Sequence, residues 1–221
     1  STAELSIVQA RKEINLFAER MRRMFGMLNT LLHETNENEF NKLFSRIEKY
    51  ENISDNMELE IANYLNKVSE GRLSSESKLE IRGMLREVTE IESIGDSCYN
   101  LARTINRKRS GGNDFTEKQY EHIHQMMQLT DDALAHMIAV VEDEHHAVDV
   151  NKSFNIENEM NNYRAQLKNQ NVVDVNNKEY DYQMGVHYMD LIGECEKLGD
   201  YVVNVVEART NVKEKKVGDN R

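Results

Sequence analysis

The chain has 221 residues, 30% of them charged, and a formal net charge of −11; this bounds it to one or two compact domains and argues against a nucleic-acid partner, which needs a basic footprint. It contains no proline, and with Glu, Lys, Leu, Met and Ala abundant, turn-rich β folds are excluded and an all-α protein of long helices is expected. No run of about 18 apolar residues exists, so no segment is expected to span a membrane.

Six apolar-periodic segments lie between clusters of turn residues. The first helix is expected near 3–34, where "STAELSIVQARKEINLF" is amphipathic, does not resemble a signal peptide, and places Ser1 and Glu4 in a capping-box pattern. "HETNENE" (33–39) ends it, a second helix is expected near 38–69, and "SEGRLSSES" (69–77) leads into a third near 76–109. Beyond "RSGGND" (109–114), Thr116-x-x-Gln119 marks the start of a fourth near 116–144. "EDEHHAVDVN" (142–151) separates it from a fifth near 150–171. "QNVVDVNN" (170–177), with Asn176-x-x-Glu179 as a start signature, precedes a sixth near 178–210.

Helices of about 30 residues are about 45 Å long and recover their ordering entropy by packing side by side. Short connections make sequence neighbours antiparallel, so an up-down bundle is predicted. In the third helix Met84, Val88, Ile91, Gly95, Cys98, Ala102 and Ile105 alternate spacings of four and three, and Ile192, Cys195, Gly199, Val202 and Val206 repeat the seam in the sixth. Cys98 and Cys195 on these seams read as buried free thiols, which suits a reducing cytoplasm. Gly111-Gly112 lies midway, which divides the chain into two three-helix repeats, 1–110 and 111–221, with the glycine pair as the hinge between them.

The repeats share a longer pattern. "EIESIGDSCYN" (90–100) and "ECEKLGDYVVN" (194–204) both write Glu-x-Glu-x-x-Gly-Asp-x-x-x-Asn. A glycine costs about 1 kcal/mol relative to alanine inside a helix, and its use at the same place in both copies predicts close approach of a neighbouring helix. Glu92 and Asp96, like Glu196 and Asp200, lie four apart on one helix face, where like charges repel, so a cation is expected beside them. In an antiparallel hairpin, facing residues have a constant sum of positions. Glu51 with Asp96 and Asp55 with Glu92 share the sum 147, which places all four carboxylates at one level with the turn near 73. In the second half Glu157 with Asp200 and Asn161 with Glu196 share the sum 357, with the turn near 178. There an amide replaces one carboxylate, so the second set is expected to be weaker, asymmetric or empty. Converging carboxylates either raise their pKa values or hold a cation, and an all-oxygen set favours hard ions such as magnesium, manganese, calcium or iron.

At these residues the sequence resembles the PhoU family. "IESIGDSCYNLA" and "CEKLGDYVVNVVE" look like that family's paired signature on the third and sixth helices, and "YENISDNMELEIANYL" and "IENEMNNYRAQL" are similar to its second and fifth. The resemblance implies a six-helix, non-enzymatic regulator of phosphate uptake that acts through a membrane phosphate transporter domain, in cis or in trans, and it leaves a homodimer open. It also implies a divalent or trivalent metal (iron, zinc, manganese or magnesium) on Glu51, Asp55, Glu92 and Asp96 in one half, and on Glu157, Glu196 and Asp200 in the other. An opening without Met, the long first helix and the tail "NVKEKKVGDNR" are similar to the cytoplasmic C-terminal PhoU domain of bacterial sodium/phosphate cotransporter-family proteins. A cytoplasmic, membrane-associated location follows from that resemblance.

Two other classes fit a helical bundle. A ferritin-like di-iron enzyme needs Glu-x-x-His on two helices; Glu121–His124 and Glu142–His145 have that spacing, but about 32 Å apart on one expected helix. A purely structural bundle would instead leave the acids solvated. No nucleophile arrangement or phosphate-cradling loop stands out, since no strand precedes "RSGGND". Met21, Met24, Met27, Met126 and Met127 read as core filling.

Overall fold

A computed structural model describes residues 2–213. All the regular structure among these residues is helical: α1 (Thr2–His33), α2 (Glu37–Ser69), α3 (Ser75–Ser110), α4 (Glu117–Val141), α5 (Asn151–Asn176) and α6 (Tyr182–Thr210). The capping pattern at Ser1 and the tail from 214 onward lie outside the described residues.

Side-chain chemistry at the ends sets most of the boundaries. Asn36 accepts from the Glu39 N–H to start α2, and Ser74 accepts from the Ser77 N–H to start α3. Thr116 and Gln119 form the reciprocal capping box expected from the sequence. Arg107, Lys108 and Arg109 occupy the last turn of α3, where the helix dipole favours cations. Gly112, at φ +77°, supplies the left-handed turn that separates α3 from α4.

Three helix ends differ from expectation. Residues 170–176 are helical, so α5 runs to Asn176 and Asn176-x-x-Glu179 starts nothing. The run contains neither glycine nor proline, and its valines and asparagines are poor helix formers without being breakers. The actual cap of α6 is Asp181, which accepts from the Met184 N–H and also from Asn113 Nδ2 of the α3–α4 connection. Likewise α4 stops at Val141 rather than 144, with Glu142 as its C-terminal cap residue.

Each three-helix set packs internally, and the two sets meet along α3 against α6 and α1 against α4. α2 touches only α1 and α3, and α5 only α4 and α6, so these two form opposite outer edges. All the seam positions named from sequence are buried. Met21, Met24 and Met126 are core residues with Met27 and Met127 packed against them. Cys98 and Cys195 are buried free thiols, and burial pushes the Cys195 thiol up to about 12. One ion pair lies inside the interface between α1 and α3: Arg11 holds Glu87 with two bonds of 2.7 and 3.0 Å.

The ends of the repeated eleven-residue pattern serve this central contact. Asn100 Nδ2 donates to Glu194 Oε1 at 3.1 Å, and Asn204 Nδ2 donates to Glu90 Oε2 at 3.1 Å. The first glutamate of each copy therefore grips the last asparagine of the other, two equivalent bonds across antiparallel α3 and α6. In the sequence Glu90, Asn100, Glu194 and Asn204 stand out only as members of the repeated pattern.

Candidate metal centre

The middle of the pattern faces outward from that contact, toward α2. Gly95 allows α2 to come close: a Cβ there would stand 2.8 Å from Ser54 Oγ and 2.9 Å from Met21 Sδ. Ser54 is fully buried against it. One step along α2 and α3, Glu51, Asp55, Glu92 and Asp96 each bring a carboxylate oxygen within 4.8 Å of one another. The constant-sum register is therefore realised, and it sets four acids at one level of the hairpin.

Glu51 and Glu92 are half-buried and Asp55 is exposed. Burial, followed by the Asp96 carboxylate, pushes the Glu51 carboxyl up to about 8; burial, then Asp96 and Asp55, do the same to Glu92. Glu58, one turn further along α2, is raised by burial and by Asp55 and Asp96. Among the described residues no ion pair reaches any of the four. Glu51 Oε2 is buried without a hydrogen-bond partner. An ion of charge two or more would remove the mutual repulsion and supply that partner at once. The four residues thus fit a hard cation by donor type, number and proximity.

The second half does not repeat the arrangement. Among the described residues Glu157, Glu196 and Asp200 do not form such a group. Arg164 Nε instead sits 3.1 Å from Glu196 Oε2, its guanidinium lying over Gly193. Facing Gly199, the helix neighbour is Met160, with its methyl 3.0 Å from a Cβ position, where the first half has the smaller Ser54. Aligning the halves on these glycine contacts pairs Glu51 with Glu157, Asp55 with Asn161 and Glu58 with Arg164. Along the outer helix an acid has become an amide and another has become a cation. The cation expected beside the paired acids is thus an internal arginine in direct contact in one half; in the other, among the described residues, no ion pair supplies it and Arg103 acts on Glu51 only through space.

Of the remaining acid–histidine spacings, Glu121 and His124 share α4, whereas His145 lies in the 142–150 connection beyond it. Glu142–His145 is consequently not a helical ligand pair, and the two pairs do not converge.

Fold and site together define the class: an all-α six-helix bundle with an all-carboxylate, cation-compatible cluster on its α2–α3 hairpin. Comparison with known proteins then specifies the fold. The family model described as "PhoU domain" matches residues 14–105, a span that holds all four clustered acids. The structure is similar to the crystal structure of the phosphate transport system regulatory protein PhoU from Streptococcus pneumoniae, with a TM-score of 0.77 and 14% identity over 97% of this chain and 100% of that one. It is also similar to the crystal structure of PhoU from Pseudomonas aeruginosa, with a TM-score of 0.71 and 14% identity over 93% and 95% of the respective chains. None of the curated proteins matches the sequence. The fold is the all-helical PhoU fold.

Proposed function

We propose that this chain is a non-enzymatic PhoU-like regulatory domain that controls phosphate uptake through contact with a membrane phosphate transporter domain. Its repeats, 1–110 and 111–221, are functionally unequal: Glu51, Asp55, Glu92 and Asp96 hold a divalent or trivalent metal ion, while Arg164 fills the equivalent place beside Glu196. The observation that carries the reading is the coincidence of the PhoU-domain match with the four converging carboxylates. The Streptococcus pneumoniae structure, named as a phosphate transport system regulator, supports the process. No helix among the described residues is long and apolar enough to cross a membrane, so in this reading the transporter is a partner or a fused domain of the sodium/phosphate cotransporter type, reached from the cytoplasmic side.

The test has two arms. Metal analysis of protein purified without chelator is expected to give bound metal in the parent chain and close to none in Glu92→Gln/Asp96→Asn. Equal metal in both removes the ligand assignment and leaves the regulatory reading intact. In the second arm, phosphate uptake is measured in cells of a PhoU-deficient bacterium expressing this chain. Restored control of uptake is expected, and uptake indistinguishable from the deficient strain removes the regulatory reading.

A further inference from the structure

We propose that His33 and His124 form a transition-metal site for a borderline ion such as Zn2+, separate from the carboxylate cluster and joining the two halves of the bundle. His33 is the last residue of α1 and His124 lies on α4, one of the two lines along which the halves meet. Their Nε2 atoms face each other at 2.6 Å, with ring centroids 4.8 Å apart and planes inclined by 46°. The Tyr120 ring packs against both, at 5.2 Å from His33 and 6.2 Å from His124.

Two facing ring nitrogens can share only one proton, so one imidazole must be a donor and the other an acceptor. A metal ion replaces that proton and uses both lone pairs. Partial covering of the ring, and then His124 and Lys108, lower the pKa of His33, which favours the neutral, ligating ring. Zinc–nitrogen bonds of about 2.0–2.1 Å at a tetrahedral angle separate the two nitrogens by about 3.4 Å. The pair must open by less than about 1 Å, and both side chains are exposed and able to do so.

Beside the pair lies a cavity of about 390 Å3, lined by Phe25, Asn29, Met127, Gln128 and Asp131 as well as the two histidines. It has room for water in the remaining coordination positions. Asp131 is engaged by Arg22 through two bonds of 3.0 Å, so nitrogen ligation dominates. Imidazole donors select zinc, nickel or copper over magnesium or calcium. The carboxylate cluster has the opposite preference and lies on α2 and α3, and α2 does not touch α4.

The test uses the full chain without a polyhistidine tag, carrying Glu92→Gln and Asp96→Asn so that the cluster is silent. Zinc chloride is titrated calorimetrically near neutral pH into this protein and into versions with His33→Asn, His124→Asn or His145→Asn/His146→Asn added. The expected result is a single site whose affinity falls at least about tenfold in each of the first two versions and is unchanged in the third. Zinc is also expected to shift the Nε2 resonances of both histidines. Affinity in the His33 or His124 version unchanged from that of the protein with all its histidines, or loss confined to the 145–146 version, overturns the proposal. All the substituted histidines are on exposed positions, so folding is preserved throughout.

Discussion

At the residue scale the four clustered acids are held at a cost that pH reveals. In the metal-free protein Glu51 and Glu92 titrate at about 8, against about 4.3 for glutamate in an unfolded chain. Between those values the folded state binds more protons than the unfolded one, so stability falls as pH rises. The contribution is fully present below about pH 4.3 and lost above about pH 8. Urea unfolding in the presence of chelator is therefore expected to show a midpoint that declines from pH 5 to pH 8, and Glu92→Gln is expected to flatten the decline. A midpoint independent of pH in the parent chain contradicts the assigned proximity. The convergence itself was legible from two Glu-x-x-x-Asp spacings and one turn position. Arg164 was not: in sequence it is one exposed-face arginine among many, and only its placement opposite Glu196 distinguishes it from its counterpart Glu58.

At the element scale the α2–α3 hairpin depends on Gly95. An added Cβ meets Ser54 Oγ and Met21 Sδ below 3.0 Å, and overpacking of this kind costs about 1–3 kcal/mol. The helix-propensity gain from alanine, about 1 kcal/mol, offsets part of that. Gly95→Ala is expected to be destabilising, whereas Gly199→Ala meets only the mobile end of Met160 and is expected to cost less. Ser54→Gly removes the obstructing hydroxyl, which has no hydrogen-bond partner, and is expected to rescue Gly95→Ala in a double-mutant cycle followed by urea unfolding. Additive effects of the two changes would show that the contact is not what glycine protects. Helix number and the four- and three-residue seams were readable because a buried stripe must recur at the helical period. The α5–α6 junction was not readable, because asparagine and valine favour other structure only weakly. What stops α5 is the Lys178 turn at φ 58° and the Asp181 cap, not the composition of 170–177.

At the scale of the whole molecule, α3 and α6 form the joint between the halves, fastened by Glu90–Asn204 and Glu194–Asn100. Hydrogen bonds to charged groups contribute about 1.5–3 kcal/mol each, less where water has access. Asn100→Ala and Asn204→Ala are each expected to lower unfolding stability by about 1–2 kcal/mol. The two bonds lie about 15 Å apart along the helices, so the double variant is expected to show the sum. Far-ultraviolet dichroism in urea measures both; a variant indistinguishable from the parent would mean that solvent already satisfies the glutamate.

The sequence by itself determined the all-helical class, the helix faces, the level at which Glu51, Asp55, Glu92 and Asp96 meet, and the asymmetry between the two sets announced by Asn161. These follow from local periodicity and from the register of a hairpin with a short turn, both of which are properties of neighbouring segments. Only the tertiary structure decided the reciprocal Glu–Asn clasp, the guanidinium beside Glu196 and the facing imidazoles of His33 and His124. The clasp and the imidazole pair join side chains across α3–α6 and α1–α4, whose lateral placement no local spacing encodes because it results from packing the two halves against each other; the guanidinium lies within the α5–α6 hairpin, where the constant-sum register set Asn161, not Arg164, opposite Glu196.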